Sequence, residues 1–67
     1  MDVFINNKTV SLPEDASVSI ALSHANIVAQ RGVAVAVNNT VIPNSEWEKY
    51  TLKERDNVIV IKATQGG

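Results

Sequence analysis

Val33-Ala34-Val35-Ala36-Val37-Asn38-Asn39-Thr40-Val41-Ile42-Pro43 decides the architecture of this chain. Its first five residues alternate large with small side chains, the two-residue period of a strand whose Val face should meet the helix of the fold. Asn38-Asn39 supplies residues that tolerate the positive φ angles of a short hairpin turn. Val41-Ile42 is then a brief return strand, stopped by Pro43, which lacks the N–H that a central ladder needs. A hairpin in the middle of the chain is the reading.

Towards the N-terminus the same chemistry recurs. Val3-Phe4-Ile5 is a β-prone run, Asn6-Asn7 is a second candidate turn, and Thr9-Val10-Ser11-Leu12 alternates polar with apolar. Pro13-Glu14-Asp15 breaks that strand. Ser17 can cap a helix in which Val18, Ala21, Leu22 and Ala25 fall at i, i+3, i+4 and i+7, giving an amphipathic helix of about nine residues. Gln30-Arg31-Gly32 reads as a loop.

Towards the C-terminus, Asn44 or Ser45 is placed to cap one helical turn through Glu46-Trp47-Glu48, with acidic residues where the dipole favours them. Trp47 is expected to cover one end of the core. Lys53-Glu54-Arg55-Asp56-Asn57 is a charged turn, and Val58-Ile59-Val60-Ile61 is the continuous apolar run of a strand with neighbours on both sides. The predicted fold class is therefore α+β, a mixed sheet of four to five strands packed on one main helix. Residues 1–63 form the domain, and 64–67 are expected to be a flexible tail.

With 67 residues, one domain is the limit, since a chain of this size buries only about 60% of its unfolded surface. There is no cysteine and a single histidine, so neither disulfides nor a histidine cluster can staple it. Stability must come from the core, and 45% apolar residues can supply one. Six basic and seven acidic residues leave a net charge of −1, a field too weak to gather nucleic acid or anionic lipid. No apolar run approaches the roughly 20 residues of a membrane span, and Met1-Asp2-Val3-Phe4 lacks the basic start of a signal peptide. A cytoplasmic protein is expected, monomeric when free. Two glycosylation sequons, at Asn7 and Asn38, are therefore set aside as chance matches.

The inventory for a conventional active site is thin. His24 lies beside the apolar stripe of the helix and reads as a surface or boundary residue. Glu14/Asp15, Glu46/Glu48 and Glu54/Asp56 sit in turns or caps, where a solvated charge is ordinary. No catalytic residue, metal ligand or cofactor is assigned. The exception is Gly66-Gly67 at the end of the sequence. At a glycine frequency of about 7%, such a pair closes a random chain about 0.5% of the time. The bland reading is a frayed tail. The functional one is that, without Cβ atoms, the pair can thread a narrow channel and bring a carboxylate to another enzyme's reactive centre. Activation with ATP would turn that carboxylate into an acyl-adenylate, which sulfur can displace. In sulfur chemistry, a chain without cysteine would have to carry its cargo as a thiocarboxylate on the terminal carbon.

Three stretches resemble the ThiS family, the sulfur carriers of thiamine thiazole biosynthesis. They are Met1-Asp2-Val3-Phe4-Ile5-Asn6, the block from Val33 to Asn38 continued by Val41-Ile42-Pro43-Asn44-Ser45-Glu46-Trp47, and Gly66-Gly67. The resemblance implies a ubiquitin-like β-grasp fold and a carrier that is not itself an enzyme. It implies that Gly67 is adenylated by an E1-like adenylyltransferase of the ThiF type, receives sulfur from a donor enzyme, and delivers it to a ThiG-type thiazole synthase. Gly66 would give the tail its narrow profile. One departure is Arg55, in a turn where the family usually has glycine, which puts the turn type in question.

If Val58 and Val60 face the helix, Ile59 and Ile61 face away, as does Phe4 if Val3 and Ile5 point inward. Phe4, Ile59 and Ile61 are thus candidates for a partner-docking face. Their burial by Trp47 or a loop is the alternative. Competing functions are a molybdopterin-synthase small subunit, a ubiquitin-like modifier joined to lysines, and a binding module with an incidental tail.

Overall fold

Both Asn-Asn dipeptides turn the chain with left-handed backbone, at φ 50° and 69° for Asn6 and Asn7 and at 49° and 70° for Asn38 and Asn39. Two positive φ angles in sequence match the right-handed twist of flanking strands, which is why each dipeptide closes a two-residue hairpin. The computed structural model describes residues 1–27 and 32–62. Within them, β1 (Asp2–Ile5) pairs antiparallel with β2 (Lys8–Ser11), and β3 (Val33–Val37) with β4 (Thr40–Ile42).

The two hairpins are joined by β5 (Asn57–Lys62), parallel to β1 and antiparallel to β3, in the sheet order β2-β1-β5-β3-β4. The last strand in the sequence is the central one. Its even positions Val58 and Val60 are buried and face Val35 and Val37 across the ladder. This mixed five-stranded sheet carries one helix, as the sequence leads one to expect.

That helix, α1 (Val18–His24), is shorter than the nine-residue reading. Ser17 caps its start, its Oγ accepting from the Ile20 N–H at 3.3 Å. Val18 N–H donates to the Tyr50 carbonyl and Ser19 N–H to that of Trp47, so the first-turn donors that a helix leaves open are taken up by the segment lying across it. The other end stops early because Asn26 adopts φ 59°. Asn26 N–H then bonds the Ser23 carbonyl and Ile27 N–H bonds that of Leu22, a Schellman closure with asparagine in the place usually held by glycine.

Val18, Ala21 and Leu22 of α1 meet Val3, Ile5, Val35, Val37, Val58 and Val60 in the core, with Leu12, Ala16, Ile42 and Leu52 around the rim. Trp47 closes one end, buried, with Nε1 donating to the Ile42 carbonyl at 2.8 Å. The turn before it differs from expectation. It is a 3₁₀ turn over Asn44–Glu46 with Pro43 at its start and no side-chain cap. Pro43, held at φ −59°, offers its carbonyl to the Glu46 N–H at 2.8 Å, so the proline begins the turn and neither Asn44 nor Ser45 is needed as a cap.

Candidate functional site

The face of the sheet opposite α1 is where the described chain departs most from an ordinary surface. Alternation along β1 and β5 buries Val3, Ile5, Val58 and Val60 and turns Phe4, Ile59 and Ile61 the other way. Phe4 is 39% exposed and Ile61 60%, with Ile59 half-buried between its neighbours. Trp47 belongs to the core on the other side, so it does not cover them. The register adds three residues that the sequence reading left out of the patch. Ala34 lies opposite Ile61, Ala36 opposite Ile59, and Val41 opposite Ala36. Val41 is 69% exposed. The alternation of valine and alanine in β3 already places Ala34 and Ala36 on this face, but only pairing shows that they sit against the isoleucines.

Contiguous apolar surface of this kind marks a docking area more often than isolated exposed side chains do.

Polar groups near β5 are structural. Asp56, expected to be a solvated turn carboxylate, is buried instead. Its Oδ1 accepts from Asn38 Nδ2 at 3.0 Å and its Oδ2 from the Lys53 N–H at 2.8 Å. The long-range packing of the Asn38 turn against the start of β5 draws it inward. Glu54 accepts from the Asp2 N–H at 3.1 and 3.3 Å, and Glu14 lies 3.6 Å from the amino group of Met1. Arg55 adopts φ 67°, the left-handed geometry that a glycine would take without strain, and its N–H donates to the Asp2 carbonyl at 2.6 Å. The turn that the arginine put in question is thus left-handed at Arg55. His24 is exposed.

Among the described residues no group of three or more histidines, cysteines or acidic residues is arranged to hold a metal ion, and no buried side-chain polar atom lacks a hydrogen-bond partner. None of their helices is long and apolar enough to cross a membrane. Gly66 and Gly67 lie outside the described residues. What the fold establishes is that β5, the central strand, runs to Lys62, five residues before the end of the sequence.

The model of the ThiS family matches residues 3–67. This chain belongs to the ThiS family. A crystal structure of the thiamine biosynthesis protein ThiS from Geobacter metallireducens is similar over all of both chains, at 25% identity and a TM-score of 0.81. A solution structure of a thiamine biosynthesis protein from the same organism gives 26% identity and a TM-score of 0.78, covering all of this chain and 88% of that one. No curated protein sequence matches. The sheet of five strands on one helix is thus the ubiquitin-like β-grasp of ThiS structures, and the family match runs through the final Gly66-Gly67 of this chain.

Proposed function

We propose that this ThiS-family chain is a sulfur carrier for the thiazole of thiamine, acting through the carboxylate of Gly67. The observation that carries the reading is the family match extending to Gly66-Gly67, in a chain that has no cysteine to carry sulfur otherwise. A Gly67 carboxylate oxygen attacks the α-phosphorus of ATP and pyrophosphate leaves. A hydrosulfide-level nucleophile from a sulfur donor enzyme then adds to the acyl carbon and AMP leaves, so that a thiocarboxylate remains. Adenylation supplies the leaving group that a bare carboxylate lacks, and the energy comes from ATP.

The chain is a co-substrate in this scheme, and the chemistry belongs to a ThiF-type adenylyltransferase and a ThiG-type thiazole synthase. Phe4, Ile59 and Ile61 form the surface on which such a partner seats the domain, while Gly66, without a Cβ, lets the tail enter a narrow channel. Ile61→Asp should weaken binding of the adenylyltransferase, read by titration calorimetry, while the domain stays folded, because the charge is buried only in the contact and Ile61 is already 60% exposed.

The test is the intact mass of the chain after incubation with its cognate activating enzyme, ATP and a sulfur donor, with fragmentation to locate any change. An oxygen-to-sulfur exchange on Gly67 is the expected result. An unchanged mass, with the enzyme shown to be active, would overturn the carrier reading.

A further inference from the structure

β1 leaves β5 before β5 ends. The last pair in their register is Ile5 with Val58, after which Asn6 and Asn7 turn the chain away. The Asn6 N–H still reaches the Val58 carbonyl at 2.9 Å. One step further on, the carboxamide of Asn6 takes over from the backbone. Its Oδ1 accepts from the Val60 N–H at 2.8 Å and its Nδ2 donates to the Val60 carbonyl at 3.2 Å. A primary carboxamide offers the same donor and acceptor as a peptide unit, so this side chain adds a rung to the ladder where no strand remains. The donor at Val60 also fixes which way round the amide sits. Both bonds are partly buried, so the carboxamide takes the place of water at the backbone of Val60.

Val60 stands two residues before the end of β5, and the segment leading to Gly67 continues from there. On the other flank the end of the strand is held by the pairing of Ile61 with Ala34. We infer that Asn6 is a positioning residue for the reaction at Gly67: by clamping Val60 it holds in place the end of the central strand from which the C-terminal segment departs. The inference rests on the sulfur-carrier reading. Proximity chemistry is sensitive to such aim, since a displacement of about 1 Å at the reacting atom can cost up to about a hundredfold.

The experiment compares Asn6→Gly with Asn38→Gly. Glycine accepts the positive φ of both turns, so each variant deletes a carboxamide without straining its hairpin. Each chain is assayed as the varied substrate of its activating enzyme with ATP, at a temperature where all are shown to be folded. In parallel, amide hydrogen exchange of the free chains is followed at Val58, Val60 and Ile61. Asn6→Gly is expected to lower kcat roughly tenfold with KM changed less than about twofold, because the docking face is intact and only the delivery of the tail is blurred. Val60 and Ile61 should exchange faster in that variant while Val58 does not, and Asn38→Gly should leave kcat within about twofold.

A kcat unaffected by Asn6→Gly, or equal losses in the two variants, would overturn the inference and reduce Asn6 to a general stabiliser. Uniform acceleration of exchange along β5 would do the same. A wild-type chain inert to an active adenylyltransferase would instead sink the carrier reading. In that case the selective exchange at Val60 and Ile61 still decides whether Asn6 holds the end of the strand.

Discussion

Asn6-Asn7 and Asn38-Asn39 are the same dipeptide in nearly the same backbone conformation, yet their leading asparagines do different things. Asn6 gives both ends of its carboxamide to one backbone unit, that of Val60, near the end of the central strand. Asn38 divides its carboxamide at the strand's beginning, donating to the buried Asp56 carboxylate and accepting from the Asn57 N–H at 3.0 Å. The turn is a local property of the dipeptide, whereas the destination of each side chain depends on which part of β5 the sheet brings alongside. One clamp secures the entry of the central strand through a carboxylate, the other its exit through a peptide-like rung.

The entry clamp is the easier one to break. Asp56→Ala removes the acceptor of the Lys53 N–H and of Asn38 Nδ2 together, and should lower stability by about 2 kcal/mol, read from the midpoint of urea unfolding. An unchanged midpoint would mean that water replaces the carboxylate freely and that the two turns are not distinct in kind. In a double-mutant cycle, Asp56→Ala with Asn38→Gly should show a coupling of about 1 kcal/mol, while Asp56→Ala with Asn6→Gly should be additive within about 0.5 kcal/mol, because the side chains of Asp56 and Asn6 neither meet nor share a partner. Coupling of equal size in both pairs would erase the comparison.

A smaller effect is expected at the turn leading into β5, where Arg55 has φ 67°. The other non-glycine residues with positive φ among those described are asparagines and one aspartate, whose short polar side chains tolerate this region. Arginine does not, so Arg55→Gly should raise stability by about 1 kcal/mol, and a thermal unfolding curve would check it. Smallest of all should be Asn7→Gly and Asn39→Gly, each improving its hairpin by about 0.5 kcal/mol and by the same amount. Unequal gains would show that the second positions of the two turns, like the first, differ in their surroundings.

Much of the architecture can be read along the chain because it depends on near neighbours. The valine-alanine alternation of residues 33–37, the positive-φ tolerance of paired asparagines, the Ser17 cap and the apolar run from Val58 to Ile61 each act over a few residues. The last of these also announces a central strand. The helix ends before its apolar period does because Asn26 terminates it through its own backbone geometry, while the period runs on to Ala25. The short turn before Trp47 was displaced because the carbonyl of Pro43 was already enough to start it.

The candidate site divides along the same line. Phe4, Ile59 and Ile61 follow from alternation once the strands are assigned, but Val41, Ala34 and Ala36 join them only through register. Asp56 looked like one more turn carboxylate, and nothing in its neighbours announces that it is buried.

By itself the sequence determined which segments are strands, helix and turn, which valines face inward, and that Gly66-Gly67 stands apart from the core-forming segments. These are consequences of φ preference and side-chain period, which operate within a turn or two of the chain. Only the tertiary structure decided where the polar side chains go. Asn6 meets a residue 54 positions away and Asn38 one 18 positions away. Contacts over such separations are set by strand order and register, and a carboxamide that can donate and accept in any direction carries no local sign of the partner it will find.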